Sequence, residues 1–433
     1  MTTTYDPTNS LYTDEADVRR EMARVFDVCR ECRNCVSLCS VFPTLIEIIE
    51  QRDDHDASMM TPAAQDRIVD GCFQCKLCVS DCPYTADRHE ADVDMPRLML
   101  RAKAMQVENG HVSARTRLAT KAMGRTDRVG AIATRVAVLS NRLIAAPPGS
   151  LVRRAIGVAT GVSAKRLLPP YAHERFSGWF ARRPRIKLQK KQARVSVMPT
   201  CIVEYQATDV GRDLVKVYER NGVECAASGA GCCGAPWLHA GETARFAKIA
   251  RKNVKLLADE VRAGADIVVA QPTCSYVIKH DYRDHVGGAD AELVASRTYD
   301  ASEYLVTLHQ GDDYVLDTNF HGQVPSTITY HAPPHLLAQG VGSPSRDLLR
   351  LTGARVKSVH GASGVEAMWG YRADHESDAM AVAAALAERV VQAGGDVVAG
   401  DCHLSNTAIT EQSGLTVVHP LQVLARAYGI PQE

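Results

Sequence analysis

The chain has 433 residues, in which 50 Lys and Arg balance 50 Asp and Glu, and it contains 14 cysteines. This length allows roughly two to four domains with substantial cores. Residues 1–20 are polar and acidic and lack the apolar stretch of a secretory signal, and no run of about 18 consecutive apolar residues occurs. The sequence therefore predicts a cytoplasmic protein whose thiols stay reduced and ligate metal instead of forming disulfides.

The zero net charge conceals a strong asymmetry along the chain. Residues 1–100 carry 19 Asp and Glu against 10 Lys and Arg, whereas residues 111–194 carry 19 Lys and Arg and only two acids, Asp127 and Glu174. An asymmetry of this size indicates a dedicated basic surface.

Eight cysteines form two runs with the spacing C-x2-C-x2-C-x3-C, and Pro83 follows the second run. This spacing is typical of two-cluster ferredoxins, in which the fourth Cys of each run ligates the cluster of the other run. We therefore expect two 4Fe–4S clusters, one held by Cys29, Cys32, Cys35 and Cys82, and one by Cys72, Cys75, Cys78 and Cys39. Zinc is the nearest competitor, but zinc sites usually use two CxxC pairs.

Helical segments surround these runs. The apolar residues of segment 45–50, the residues before Cys72, and segment 92–108 with its methionines all read as helices. We therefore expect a helical ferredoxin-type module over residues 1–108.

The basic region, residues 109–193, reads as a helical connector. Between Arg125 and Leu143, arginines alternate with Val129, Ile132, Val136 and other apolar residues at roughly helical spacing. Such helices lie on anionic membranes or on acidic partners, or they pack their apolar stripe on neighbouring domains, and the periodicity does not separate these alternatives. Nucleic acid is disfavoured because interleaved aromatic residues and a binding motif are lacking.

Strand–helix alternation begins at residue 194, and its order recurs. The predicted strand 195–198, which precedes Cys201, corresponds to strand 327–330, which precedes His331. Likewise segment 264–269, before Cys274, corresponds to segment 394–399, before Cys402. Overall we predict a multidomain α+β chain in which two pseudo-symmetric α/β repeats, over residues 194–320 and 321–433, follow the connector.

The first repeat holds a second group of cysteines. They follow predicted strands, and the carboxyl ends of parallel strands meet at one edge of a sheet. We therefore expect a third cluster, held by Cys201, Cys232, Cys233 and Cys274. Cys225 reads as a core residue. The segment 229–234 also satisfies G-x-G-x-x-G, but a phosphate loop has no use for two thiols, so we expect flavin or nicotinamide on another polypeptide.

Tandem ferredoxin runs followed by two Cys…Cys-Cys-Gly…Cys-type repeats resemble the cysteine-rich-domain proteins. These include the catalytic subunits of heterodisulfide reductase and, closer to this chain, the iron–sulfur subunit of anaerobic glycerol-3-phosphate dehydrogenase. The resemblance extends over nearly the whole chain, including the Pro-Thr-Cys274 loop and His331-x3-His335. It implies a peripheral membrane subunit that passes electrons from a flavoprotein dehydrogenase toward quinone.

The second repeat departs from this pattern. Positions that carry Cys in heterodisulfide reductase read Pro334, Ala362, Ser363 and Ser405, which leaves only Cys402. We therefore expect no ordinary cluster there, and this argues against disulfide reduction. Two alternatives stay open for the nearby histidines: with Cys402 they bind a single metal ion or a haem, or they are ordinary loop histidines. The residues concerned are Cys402, His331, His335, His360 and His403.

The leading hypothesis is an iron–sulfur electron-transfer subunit with no catalytic residues of its own. Its partner would be a flavoprotein or a non-haem iron oxidoreductase, and its acceptor quinone or another redox protein. Residues 111–194 would dock it on the cytoplasmic face of the inner membrane or on an acidic partner. The alternatives are a non-catalytic assembly subunit and, ranked last, a reductase resembling heterodisulfide reductase.

Overall fold

The computed structural model describes residues 4–431, apart from 185, 187, 189–191 and 312–315. The start of the polar N-terminal segment and part of the basic tail of the connector therefore lie outside the described residues. The chain is mixed helix and sheet, with two small parallel sheets, as predicted.

The N-terminal module is helical. Asp14 caps the first helix by accepting a hydrogen bond from the backbone N–H of Asp17. The third helix begins with Thr61 at its N-cap and Pro62 in its first turn, and both residues are favourable at these positions. Val18, Phe26 and Met99 belong to its buried core. Its helices are α1 (Glu15–Cys32), α2 (Val41–Glu50), α3 (Pro62–Gly71), α4 (Leu77–Ser80) and α5 (Met95–Glu108), with 3₁₀ turns at Ser10–Thr13 and Ala57–Met59.

Five helices form the connector, and none of the helices in the described ranges is both long and apolar enough to span a bilayer. The helical stretch expected between Arg125 and Leu143 is interrupted at Val136, whose φ of −117° leaves the helical region. The connector helices are α6 (Ala114–Gly124), α7 (Thr126–Arg135), α8 (Ala137–Ile144), α9 (Leu151–Thr160) and α10 (Phe176–Arg182).

The first repeat is a four-stranded parallel sheet in the order β2-β1-β3-β4 with helices between the strands. Its strands are β1 (Ala193–Met198), β2 (Val223–Ala227), β3 (Asp266–Val269) and β4 (Thr298–Asp300). Its helices are α11 (Thr200–Tyr205), α12 (Thr208–Arg220), α13 (Ala235–Leu238), α14 (Thr243–Arg262), α15 (Pro272–Tyr276), a π-helix (Val277–Asp281), α16 (Tyr282–Val286), α17 (Gly288–Ser296) and α18 (Ala301–His309).

The second repeat has the same topology, with its strands in the order β6-β5-β7-β8. This agreement of strand order is the structural counterpart of the sequence repeat. Its strands are β5 (Thr327–Ala332), β6 (Arg355–His360), β7 (Val397–Gly400) and β8 (Val417–Val418). Its helices are α19 (Pro334–Leu337), α20 (Pro344–Leu351), a 3₁₀ helix (Glu366–Tyr371), α21 (Glu376–Ala393), α22 (His403–Ser413) and α23 (Pro420–Ala427).

The two repeats share one core. Val203 and Leu214 of the first repeat belong to the same buried cluster as Leu404 and Leu424 of the second. Across the same boundary, the Gln271 side-chain amide donates to the Cys402 sulfur at 3.1 Å. The carboxyl ends of the two sheets therefore approach each other inside the molecule.

Candidate metal centres

The N-terminal module contains two neighbouring cavities lined by thiols. The first, of about 410 Å³, lies at the end of α1 and is also lined by Phe42, Tyr84 and Met95. Its cysteines are Cys29, Cys32, Cys35 and Cys82, together with Cys78. The thiol of Cys82, from the second run, thus lies beside three cysteines of the first run.

The second cavity, of about 420 Å³ including open solvent, lies between the start of α2, the loop after α3, α4 and the start of α5. Its cysteines are Cys39, Cys72, Cys75 and Cys78. Here Cys39 of the first run lies with the cysteines of the second run. Four thiols around one cavity are a donor set that suits an iron–sulfur cubane.

Buried cations stand beside the second set. The Lys103 ammonium donates to the carbonyl oxygen of Cys72 at 2.6 Å, and the Lys76 ammonium donates to the Gln74 side-chain carbonyl at 2.9 Å. Both lysines are less than a tenth exposed. The Gln74 amide in turn donates to the Cys72 sulfur at 3.5 Å. Positive charge and hydrogen bonds to sulfur are the means by which a protein raises a cluster potential.

Burial also sets the protonation of these thiols. It raises the pKa of Cys39 to about 11 and the pKa of Cys75 well above its ordinary value. A thiol must lose its proton to ligate iron, so metal binding at these positions releases protons.

The third set of cysteines lies at the carboxyl edge of the first sheet, where β1, β2 and β3 end side by side. The Cys233 thiol donates to the Cys274 sulfur at 3.0 Å, and the thiols of Cys201 and Cys233 lie beside the Cys232 sulfur. All four side chains are buried. The thiols of Cys201 and Cys233 hold the pKa of Cys232 well below its ordinary value, which concentrates negative charge within the group.

Hydrogen bonds fix the loop that carries the adjacent pair. The Asn253 amide donates to the carbonyl oxygen of Cys232, and the Tyr282 hydroxyl donates to that of Cys233, each at 3.0 Å. Gly234, at φ 90°, turns the chain directly after the pair. From the connector, Asp127 accepts from the backbone N–H of Cys232 at 3.1 Å. A loop held from several sides presents its thiols in one arrangement, as a metal centre requires.

The equivalent edge of the second sheet carries a hydrogen-bond network of two serine hydroxyls and a carboxyl group. The hydroxyls of Ser363 and Ser405 are 2.9 Å apart, and Ser363 donates to the Glu366 carboxyl at 3.0 Å. Burial raises the pKa of Glu366, which favours its uncharged form. Serine hydroxyls and a carboxyl group thus occupy the positions at which the first repeat places thiols.

The four candidate histidines of the second repeat lie in different environments. His331 contacts the carbonyl oxygen of Gly361 at 2.9 Å, His335 stacks on His239 with ring centres 5.9 Å apart, and His360 is exposed. His403 lines a polar cavity that it shares with Asp209 and His419. Within the described ranges, no group of three or more His, Cys, Asp or Glu side chains is arranged around a lone metal ion.

The connector exposes its apolar residues. Twelve of the 18 exposed large apolar side chains of the described residues lie between Leu118 and Ile186. They include the whole stripe noted in the sequence, from Val129 to Leu143, and Leu151 and Val158 are about four-fifths exposed. In the described structure, the apolar stripe therefore faces outward instead of packing on the neighbouring domains.

Comparison with known proteins agrees with this architecture. Residues 195–279, which contain the third set of cysteines, match the cysteine-rich domain family, CCG. The chain is 25% identical to a subunit of the anaerobic glycerol-3-phosphate dehydrogenase of Escherichia coli over 342 residues, 78% of this chain and 83% of the relative. Among shorter matches, "Lactate utilization protein A" of Bacillus licheniformis is 25% identical over 178 residues, which are 40% of this chain and 67% of that protein.

A further relative is a subunit of the fumarate reductase (CoM/CoB) of Methanothermobacter marburgensis, 29% identical over 164 residues, 37% of this chain and 30% of that protein. Residues 195–279 therefore match a cysteine-rich domain, and the chain is similar to subunits of a dehydrogenase and of a reductase. Over most of its length, the chain resembles the matched subunit of anaerobic glycerol-3-phosphate dehydrogenase.

Several residues beside these sites carry no sequence signal. Lys76 and Lys103 are charged, and charged residues are seldom buried, so their burial beside Cys72 was not expected. Thr126 and Trp369 are likewise distant in sequence from the thiols that they approach. Only the spacing of the cysteines identified these regions in advance.

Proposed function

We propose that the chain carries three 4Fe–4S clusters and relays electrons between a partner oxidoreductase, a flavoprotein dehydrogenase, and quinone or another redox protein. The observation that carries this proposal is the grouping of twelve thiols into three sets of four. When bound, the clusters would supply one-electron transfer. The same proposal includes the division of the chain into four parts, with boundaries after residues 108, 193 and 320.

The ligands would be the crossed sets of the ferredoxin module and the four cysteines of the first repeat. The role of the chain's own residues is to hold each set at a fixed position and to tune its surroundings. Around the second set, Lys76, Lys103 and Gln74 would tune the cluster potential. Around the third set, the backbone N–H of Gly234 would do so, because it donates to the Cys232 sulfur at 3.4 Å. Donors aimed at sulfur stabilise the reduced form.

Docking on the cytoplasmic face of a membrane is supported by the exposed stripe of the connector. Helices α7 to α9 present Ile132, Leu139 and Leu151 to the outside, and exposed arginines such as Arg135 and Arg154 lie on the same helices. Apolar side chains flanked by arginines bind anionic lipid surfaces.

An iron count tests the third cluster. Cys232→Ser should remove about four irons per chain, while the electron paramagnetic resonance signals of the other two clusters persist. Cys225→Ser is the matched control, because Cys225 is a buried thiol of the same repeat, on β2, whose sulfur donates to the carbonyl oxygen of Val223 at 3.7 Å. Equal iron contents in the two variants would refute the third cluster.

A second candidate role, assembly, is favoured for the second repeat by one observation. Its Ser363–Ser405–Glu366 network occupies the positions of the thiols without offering a thiol, and its Trp369 packs on Phe73 of the ferredoxin module. If the second repeat serves only assembly, the Ser363→Ala variant should still co-purify with a flavoprotein or a non-haem iron oxidoreductase, as the wild type would. Turnover of a disulfide by the isolated chain would instead favour a reductase.

A further inference from the structure

An apolar cavity of about 1040 Å³, including its open mouth, lies between the connector helices and the two repeats. Its walls come from α6 to α9 on one side, from α11 of the first repeat on another, and from Met368, Tyr371 and Leu404 of the second repeat. We propose that this cavity binds a membrane quinone, that is, a flat uncharged ring with an apolar chain. This inference rests on the proposed electron-relay function and gives its acceptor a place.

The lining decides which ligands fit. Among the described residues that form the cavity, none is charged, and most are aliphatic, such as Met123, Ile144, Ile156 and Leu404. A phosphate, carboxylate or sugar would lose its hydration there without gaining a partner. An uncharged ring with an aliphatic tail instead gains from leaving water.

The cavity reaches the third set of thiols. Cys201 itself lines it, and so does Thr126, whose hydroxyl contacts the thiols of Cys201 and Cys232. A molecule in the cavity would therefore stand next to a proposed iron ligand. This neighbourhood distinguishes an electron acceptor from a lipid tail, which needs no redox centre beside it.

A buried hydroxyl points to a polar group on the ligand. Tyr371 lines the cavity and is 5% exposed, yet its hydroxyl has no hydrogen-bond partner in the described part of the chain. Burial raises the pKa of Tyr371, so the hydroxyl keeps its proton and can donate. An unpaired buried donor is costly, and a quinone carbonyl would satisfy it.

The outer surface around the cavity suits delivery from a lipid phase. Val129, Ile144 and Ile156 line the cavity, while Ile132, Leu139 and Leu151 stand exposed on the same three helices. A quinone leaving a bilayer touched by these helices would pass over apolar side chains. Its reduction to hydroquinone takes two electrons from the reduced flavin of the partner and two protons from solvent, and it leaves the flavin oxidised.

Photolabelling tests the binding directly. The full-length protein with its clusters is irradiated with an azidoquinone, and labelled peptides are mapped with and without excess decylubiquinone. Competed label on peptides from α7, α9 or residues 201–206 is the expected result. Label that is spread over the surface, or that decylubiquinone does not compete, would overturn the proposal.

Kinetics give an independent readout. Ile156→Trp fills the cavity and should slow reoxidation of the dithionite-reduced protein by decylubiquinone roughly tenfold or more, with ferricyanide reoxidation unchanged. Ala155→Trp, at an exposed position of the same helix, is the control. Tyr371→Phe keeps the packing and should raise the KM for decylubiquinone.

The outcomes separate this inference from the relay itself. If ferricyanide oxidises the wild-type protein but decylubiquinone does not, the quinone site is wrong and the relay stands. If Ile156→Trp and Tyr371→Phe both keep the wild-type rate and KM with decylubiquinone, the cavity is not the site. Absence of reducible clusters in the wild-type protein would instead refute the proposed function.

Discussion

The indole N–H of Trp369 donates to the backbone carbonyl oxygen of Asp70 at 3.0 Å. Asp70 stands two residues before Cys72, and the Trp369 ring lies 5.4 Å from that of Phe73. A side chain of the second repeat thus forms part of the wall around the second set of ferredoxin thiols. Cys75, Phe73, Ala362 and Trp369 belong to one buried cluster.

Removing the Trp369 side chain should expose the second set of thiols to solvent. Trp369→Ala deletes the hydrogen bond to Asp70 and the contact with Phe73, so an iron chelator should remove iron several-fold faster than from the wild type. Release is followed as the coloured iron–bathophenanthroline complex. Trp179→Ala, on α10 of the connector, is the control and should keep the wild-type rate. Unchanged release from Trp369→Ala would show that the second repeat does not shield these thiols.

The crossed pairing of the ferredoxin runs predicts non-additive iron losses. Cys29→Ser should cost about four irons, and adding Cys82→Ser should cost no more, since both thiols serve one cluster. Adding Cys39→Ser to Cys29→Ser should instead cost about eight irons in total. Iron analysis of the two double variants decides the matter, and the reverse pattern would mean that each run holds its own cluster.

Lys103 should raise the potential of the second cluster. Its ammonium lies against the carbonyl oxygen of Cys72, so Lys103→Met removes a positive charge that favours the reduced form. The midpoint potential should fall by on the order of tens of millivolts in a redox titration followed by electron paramagnetic resonance. Lys121→Met, at an exposed position of α6, should leave it unchanged. A rise in potential after Lys103→Met would contradict the role given to this cation.

The buried His285 should make the fold sensitive to acid. Burial, with smaller contributions from Arg97 and Lys76, lowers the pKa of His285 from 6.5 to about 4. Between these values the unfolded chain binds a proton that the folded chain does not. The contribution of His285 to the free energy of unfolding is therefore fully present above pH 6.5. It is lost as the pH falls toward about 4, by at most about 1.4 kcal/mol per pH unit.

His285→Gln should remove this part of the pH dependence. The free energy of unfolding by urea is compared at about pH 5 and about pH 7, and the variant should lose less stability between them than the wild type. His111→Gln, at an exposed position, is the control. Parallel losses in the wild type and His285→Gln would show that this histidine does not set the acid response.

Membrane docking predicts a loss of vesicle binding. The double variant Leu151→Glu/Val158→Glu places charges at the two most exposed apolar positions of α9, and flotation with anionic vesicles should show binding weaker by roughly tenfold or more. Val391→Glu, on the exposed side of α21, should float as the wild type does. Vesicle binding that resists the double substitution would assign the stripe to a protein partner.

Much of this architecture could be predicted because its signals are local. Cysteine spacing predicted two groups of thiols, and two cavities of the N-terminal module are lined by these cysteines. The recurrence of strand, loop and Cys or His predicted two α/β repeats, and the two sheets have the same strand order. The exposure of the connector stripe was not predictable, since helical periodicity is the same for a buried and a free face. The apolar cavity between the connector and the repeats was equally hidden from the sequence, because segments near residues 126, 156, 201 and 371 build it together.

The hydrogen bond between Asp70 and Trp369 joins residues 299 positions apart. During translation Asp70 is made before Trp369, so the second set of thiols emerges before the tryptophan that packs beside it. Until Trp369 has been made and has folded into place, its part of the wall around these thiols is absent. The order of synthesis therefore leaves an interval in which these thiols exist without this cover.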